Sequence, residues 1–429
     1  MTSDTRSPRA LGNLRSALPF GNLFDRLKEP PRAVAAGRQA ASQDSPLQAL
    51  RDAAQLALQV EFATIPVYLS GLYSISDTGS SAYQVLRSVV MEEMFHVNQA
   101  ANIVVALGGQ PCFTGKCAPS YPGYLPHANE NTTPFIGLYR ASIDVFSNVY
   151  AAIETPAPWD APAQGNRYDT IAQLYRALTD AIDAYPGNPF QADPPEFRQR
   201  TDIYLGKFGG TVIKVEDKAS ALAGIGQIVR QGEGTVPADQ PLVPRQPFGA
   251  YNQYGMRTDG TYGPILGTPE ELSHFMKFRQ VSLAPASFPP TLPVVSNPRL
   301  TDFTNKEALD TARLFNKNYS VMLRGFEQTF LRSDFDPFFG VVLNLMHDVL
   351  PSLAAALMNT PAHEHGDAEV GPNAAPTWSW DEASDLRSLA PAMQLALAEA
   401  PLASRRAAHL SHALLGLRKL AAPAAGHLL

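Results

Sequence analysis

Two stretches decide how this chain folds: VEFATIPVYL at 60–69 and VVMEEMFHVNQAANIVV at 89–105. In both, apolar residues recur every three or four positions, which is the spacing that buries one side of an α-helix. We therefore expect two long helices, at about 45–73 and 81–107, that pack against a core.

Both predicted helices carry ionisable residues on their apolar sides. Glu93 and His96 are three positions apart, so they project from one side of the second helix, among its valines. Glu61 is in phase with Leu58 and Ile65 on the first helix. A buried carboxylate is costly unless it is paired or binds a metal ion. The carboxylates at these positions therefore need an oppositely charged side chain or a metal ion.

One Glu from one helix and Glu-x-x-His from the next is the half-site pattern of carboxylate-bridged metal centres in helical bundles. Carboxylates neutralise and bridge metal ions, and neutral imidazole binds iron, manganese or zinc. A buried salt bridge would explain Glu93 and His96 alone, but Glu61 in phase on the preceding helix favours a metal site. Glu92 lies on a neighbouring line with Ser88 and is predicted to be more exposed.

A second half-site is less regular. Glu271-x-x-His274 repeats the spacing, but Glu271 is explained by capping a helix that opens at Thr268, whereas His274 lies on that helix's inner side. Glu154 ends a predicted helix in phase with its apolar side. Glu233 lies between two glycines, which would let a carboxylate be aimed inward, although an exposed loop residue is the alternative.

The rest of the chain is predicted to be helical, with long loops. The fold class is therefore all-α, a helical bundle with a helical C-terminal extension, and no strand set or nucleotide loop is found. We expect a flexible arm at 1–44, a metal-binding domain at 45–283 and the extension at 299–429. Further helices are expected at about 135–154, 169–184, 215–231, 268–280, 304–332 and 338–358, with one or two in the last 45 residues.

Composition excludes several classes of protein. The chain has 429 residues, 45% of them hydrophobic, with 34 Lys and Arg against 40 Asp and Glu, and no basic cluster that would favour nucleic-acid binding. No uninterrupted apolar run reaches the roughly 18 residues of a membrane span. Cys112 and Cys117 are expected to be reduced thiols of a cytoplasmic protein, with a local disulfide as the alternative.

The two opening stretches resemble a known family. Together with YPGYLP at 121–126, RQGEGT at 230–235 and SHFMKF at 273–278, they resemble the ferritin-like domain of the iminophenyl-pyruvate dimer synthases. Those enzymes of violacein and indolocarbazole biosynthesis couple imines derived from aromatic amino acids. The resemblance covers about 47–280 and implies a ferritin-like bundle.

The resemblance also implies a set of metal ligands. The family's positions fall on Glu61, Glu93, His96, Glu154, Glu233 and His274. Gln173 stands where relatives commonly carry Glu, which puts the number of metal ions in doubt. Iron is the first expectation, as one or two ions, with manganese as the alternative.

We therefore expect a metal-dependent oxidoreductase that acts on a small organic intermediate of secondary metabolism. Tyr68 and Gln99 are predicted neighbours of the substrate pocket, Glu92 is a weak candidate for proton transfer, and the loop 232–267 is a candidate lid. A metal-storage protein and a non-catalytic pathway partner are the rivals. A homodimer or a pathway enzyme is the expected partner, and no membrane or nucleic acid is expected.

Overall fold

The computed structural model describes residues 45–158, 161–203, 211–234, 272–401 and 404–420, where regular structure is helical and β pairing is limited to isolated bridges. The all-α fold is thereby confirmed. The predicted arm at 1–44, the loop from 235 onward and Glu271 lie outside these ranges. The longer helices are α1 (Pro46–Ser74), α2 (Ser81–Ala106), α3 (Ile143–Ile153), α4 (Ile171–Ala184), α5 (Lys218–Gln231), α6 (His274–Ser282), α7 (Lys306–Thr329), α8 (Phe338–Met358), α9 (Leu386–Glu399) and α10 (Arg405–Arg418).

Four helices of the first half close a ring in which α1 packs on α2, α2 on α5, α5 on α4 and α4 on α1. The pair α1 and α2 is antiparallel, because Arg51 near the start of α1 donates to the carbonyl of Leu107, just past the end of α2, at 2.7 Å. Helix α6 packs on α2 and α3. Side-chain oxygens of Ser45, Ser80, Thr170 and Asp217 cap the four ring helices at their starts.

The C-terminal helices form a second ring, in which α7 packs on α8, α8 on α10, α10 on α9 and α9 on α7. Trp378, in the segment between α8 and α9, is 2% exposed and packs edge-on against Phe315 and Tyr319 of α7. Its indole Nε1 donates to Ser70 Oγ of α1 at 3.1 Å. The second ring is thus joined to the first through a buried aromatic side chain.

Helices α1 and α2 are buried on more than one side. Val89 and Val90 belong to the core of the first ring, whereas Phe62 and Val97 belong to the core shared with α7 and α8. The prediction that Glu92 is more exposed than Glu93 is therefore wrong. Glu92 is only 1% exposed, because further helices cover the line that a two-helix view leaves to solvent.

Two predicted helices start later than expected. Residues 135–142 are not helical, and Ile136 pairs with Gly123 in an isolated bridge, so α3 begins at Ile143. Helix α6 begins at His274, where Ser273 Oγ accepts the N–H of Met276 at 3.5 Å. The predicted helix 268–280 is wrong for residues 272–273, which are not helical; Thr268 itself lies outside the described residues.

The expectation of reduced thiols is also wrong, because Cys112 and Cys117 form a disulfide. A short turn, Gly115–Cys117, brings their Cα atoms to 6.0 Å, a distance that a disulfide spans without backbone movement. Gln55 of α1 holds the turn in place with one hydrogen bond to the N–H and one to the carbonyl of Cys112.

Helix α8 is long and apolar enough, by length and composition, to cross a membrane, and it is alone in this among the described residues. Of its most apolar window, 56% is buried inside the protein. Its residues Val341, Leu345 and Leu353 belong to the core that α7 and α8 share with α1 and α2. Packing within the protein thus accounts for the apolar character of this helix.

Candidate metal centre

Five carboxylates and two imidazoles lie buried inside the first ring. Helices α1 and α2 supply three of the carboxylates, the end of α3 and the segment after α5 supply the other two, and α6 supplies the second imidazole. All are 4% exposed or less: Glu61, Glu92, Glu93, Glu154, Glu233, His96 and His274. Such a concentration of buried acids is unfavourable unless cations offset it.

His96 stands between the carboxylates of α1 and α2. Its Nδ1 lies 3.3 Å from Oε2 of Glu61 and 3.7 Å from Oε2 of Glu93. Its Nε2 lies 3.1 Å from Oε1 of Gln231, the last residue of α5. Thr64 donates to Oε2 of Glu93 at 3.0 Å and fixes that carboxylate.

His274 forms the other half of the cluster. Its Nδ1 lies 2.9 Å from Oε1 of Glu93 and 3.6 Å from Oε1 of Glu154. Its Nε2 lies 2.7 Å from Oε2 of Glu92. The rings of His96 and His274 are stacked with centroids 5.3 Å apart, so Glu93 serves both halves.

Glu154 and Glu233 come from the ends of helices. Tyr68 of α1 donates its hydroxyl to Oε1 of Glu154 at 2.5 Å. Oε1 of Glu233 accepts the N–H of Ala172, in the first turn of α4, at 2.7 Å. Gly232 leaves room for this arrangement, because a Cβ there would lie 3.3 Å from Oε2 of Glu154.

The cluster changes the proton affinity of its own groups. Burial raises the pKa of Glu61 to about 7 and raises that of Glu233 well above its usual range. Burial acts to lower the pKa of His96, but Glu61 and Glu93 outweigh it and raise that pKa to about 9. Burial would raise the pKa of Glu93, but hydrogen bonds from the two histidines hold it below its usual range. Without another cation, the cluster therefore holds protons.

The donor set fits a metal ion. One nitrogen or oxygen from each of Glu93, His96 and His274 can be chosen so that all three atoms lie within 4.8 Å of one another. Among the described ion pairs of the five carboxylates, the side chain with a permanent positive charge is Lys277, which contacts Glu92. Glu61 Oε1 and Glu233 Oε2, both buried, have no hydrogen-bond partner among the described residues. A cation among carboxylate oxygens and imidazole nitrogens would satisfy them, and such mixed sites suit iron or manganese.

The other predicted residues have different surroundings. Tyr68 is at the cluster, and burial raises its pKa well above the usual value, so it stays a proton donor. Gln99 instead holds a loop, since its amide exchanges two hydrogen bonds with the backbone of Ile213. Gln173 hydrogen-bonds to Thr170 and the carbonyl of Pro162, which places its amide at the start of α4.

Besides Gln231, sequence reasoning missed two further side chains at this site. Lys277 of α6 is fully buried and its Nζ lies 2.7 Å from Oε2 of Glu92. Thr64 orients Glu93, as described above. Each follows a site residue by three positions, Lys277 after His274 and Thr64 after Glu61. That helical spacing was the available signal.

Comparisons with known proteins identify relatives of this chain. A model of the Ferritin-like family matches residues 54–283. The chain is 24% identical over 402 residues to 2-imino-3-(indol-3-yl)propanoate dimerase of Chromobacterium violaceum, which covers 83% of this chain and 36% of that protein. The chain thus spans about a third of that relative's length. A solved ferritin-like protein from Caulobacter vibrioides aligns with a TM-score of 0.47 and 22% identity over 65% of this chain and 85% of its own. The two sequence matches confirm the family resemblance that the sequence motifs indicate.

Proposed function

The chain belongs to the Ferritin-like family, and on that premise we propose that it is a metal-dependent enzyme, with iron as the first candidate metal. Its substrate would be a small organic intermediate of secondary metabolism, derived from an aromatic amino acid. The name of the Chromobacterium violaceum relative, an imine dimerase, supports this class of substrate. The observation that carries the proposal is the burial of five carboxylates with two histidines, four of the carboxylates lying within 3.7 Å of an imidazole nitrogen.

Six residues would hold the metal: Glu61, Glu93, His96, Glu154, Glu233 and His274. When bound, iron would supply activation of dioxygen or peroxide, or act as a Lewis acid. The protein's own side chains provide the rest. Thr64 fixes the orientation of Glu93, Tyr68 holds a proton at Oε1 of Glu154, and the buried position of the cluster keeps bulk water from a reactive intermediate.

Storage of metal is the rival from a different class. A storage protein would need bundle surface for packing many copies into a shell. Here Phe62 and Val97 belong to the core shared with α7 and α8, so part of the surface of α1 and α2 is already covered. The structure therefore favours an enzyme over a shell-forming subunit. A non-catalytic pathway partner would tolerate loss of the buried ligands.

Product analysis tests the proposed activity. The protein is loaded with Fe(II) without oxygen and then exposed to air with L-tryptophan and an L-amino-acid oxidase, which generate the indole imine in place. We expect mass spectrometry to detect a coupled or oxidised product that metal-free protein does not form. An identical product profile with and without metal would contradict the proposal.

A further inference from the structure

The two histidines of the centre are held in the same way but by different outer partners. In each histidine, Nδ1 faces Glu93 and one further carboxylate, and Nε2 contacts a residue on the opposite side of the ring. For His96 that residue is Gln231, a neutral amide. For His274 it is Glu92, a carboxylate that itself contacts Lys277.

We propose that Glu92 and Lys277 form a positioning pair that makes His274 bind the metal through Nδ1. This rests on the proposed metal centre and goes beyond it, because it takes Glu92 out of both proton transfer and ligation. Three observations carry it: the 2.7 Å contact of Glu92 with Nε2, the 2.7 Å contact of the same oxygen with Lys277, and the position of Nδ1 beside Glu93 and Glu154, at 2.9 and 3.6 Å.

The contacts determine which nitrogen faces the metal. A hydrogen bond from Nε2–H to Glu92 places the proton on that nitrogen and leaves the lone pair of Nδ1 directed towards Glu93 and Glu154. Metal-binding histidines usually donate their second ring N–H to a carboxylate or carbonyl, which fixes the tautomer and raises ligand basicity.

Lys277 explains why Glu92 stays an acceptor. It is 0% exposed, and its position three residues after His274 puts both side chains on the side of α6 that faces Glu92 of α2. Its ammonium nitrogen lies 2.7 Å from Oε2 of Glu92, and this fixed positive charge favours the ionised carboxylate. An ionised Glu92 is the form that accepts a hydrogen bond from Nε2–H. Glu92 is therefore a positioning residue, not a proton donor.

The test compares wild type with Glu92→Gln and Lys277→Met. Anaerobic Co(II) titration, followed by visible absorption, measures affinity and ligand environment. We expect both variants to bind Co(II) about 10- to 100-fold more weakly, as for other outer partners of metal ligands, with a changed absorption spectrum. In Zn(II)-loaded wild type, ¹⁵N NMR should show a slowly exchanging N–H at Nε2 of His274, and this signal should be lost in Glu92→Gln.

Controls separate folding from positioning. Glu327→Gln removes a part-buried carboxylate that accepts hydrogen bonds from Phe113 and Thr114, so its Co(II) affinity should match wild type. If a single variant does not fold, Glu92→Gln combined with Lys277→Met carries the test, because neither charge is left unpaired. Wild type that binds no Co(II) would overturn the proposed centre and this inference together. Wild type that binds Co(II), with variants of equal affinity and spectrum, or coordination of His274 through Nε2, would overturn only this inference.

Discussion

At the scale of the residue, the carboxylate of Glu93 links the two halves of the centre. One oxygen lies 2.9 Å from Nδ1 of His274 and the other lies 3.7 Å from Nδ1 of His96. Each histidine has a further carboxylate beside the same nitrogen, Glu61 or Glu154. Loss of either histidine should therefore weaken metal binding without abolishing it, because the carboxylates remain.

His274→Ala tests whether α6 completes the centre. We expect Fe(II) affinity to fall by more than the roughly 100-fold that marks the upper range for outer partners, since a ligand itself is lost. His347→Ala removes an exposed histidine of α8 and serves as the matched control. Anaerobic Fe(II) titration measures both. Full metal occupancy in His274→Ala would show that α6 does not contribute a ligand.

Part of the site could be predicted from helical phase and part could not. Glu61, Glu93 and His96 are on long helices with a clear apolar period, and the structure brings them together. Glu154 and His274 lie at helix ends, where helical phase is a weaker guide, and the family resemblance strengthened the prediction of both. Glu92 was misplaced because phase assumes one buried side, whereas α2 is enclosed by several helices.

At the scale of the element, close packing of α1 on α3 depends on a glycine. A Cβ at Gly71 would lie 2.1 Å from the hydroxyl of Tyr150, whose ring is in edge contact with Tyr68. A glycine within a helix usually costs stability, so its presence here reflects the lack of space. This contact holds Tyr68 and, through it, Glu154.

Gly71→Ala should therefore destabilise the protein, by about 1–3 kcal/mol as for other overpacked cores. Gly226→Ala is the matched control within α5. Its Cβ would approach only the mobile end of Arg230, at 3.2 Å, so better helix propensity should make it neutral or stabilising by up to about 1 kcal/mol. Urea denaturation followed by circular dichroism measures both. Equal stability of Gly71→Ala and wild type would refute the packing argument.

Helix boundaries were predictable where a capping residue precedes an apolar period. Ser45 and Thr170 begin α1 and α4 close to the expected positions. The stretch at 135–142 has apolar residues without a cap and pairs in an isolated bridge instead, a tertiary contact that local sequence does not reveal. The start of α6 was misplaced because Ser273 supplies the cap of the helix that begins at His274.

At the scale of the whole molecule, the C-terminal helices share a core with the ferritin-like bundle. Phe62 and Val97 pack in the same cluster as residues of α7 and α8. Trp378 bonds to Ser70 of α1 across the two rings. We expected an extension at 299–429, but length and helical period could not show that it packs against α1 and α2.

Trp378→Ala should remove about 3–5 kcal/mol of folding stability, the range for truncating a large buried aromatic side chain. Trp380→Ala is the matched control, because this half-buried residue contacts Arg324 and its loss should cost only about 1 kcal/mol. Thermal and urea unfolding of the two variants measure the difference. An equal effect of the two substitutions would mean that Trp378 does not join the rings.

The central claim is that the buried carboxylates hold a metal ion. The decisive measurement is elemental analysis of protein purified without chelators, combined with thermal melting before and after metal removal, for wild type and Glu93→Gln. We predict one or two iron or manganese ions per wild-type chain, because the buried carboxylates outnumber the charge that Lys277 supplies. Metal-free protein should melt at a lower temperature and recover on addition of Fe(II), since a ligand at 100 times its Kd adds about 2.7 kcal/mol of stability. Glu93→Gln should hold no metal. A metal-free wild-type protein that is equally stable and gains nothing from Fe(II) would contradict the account.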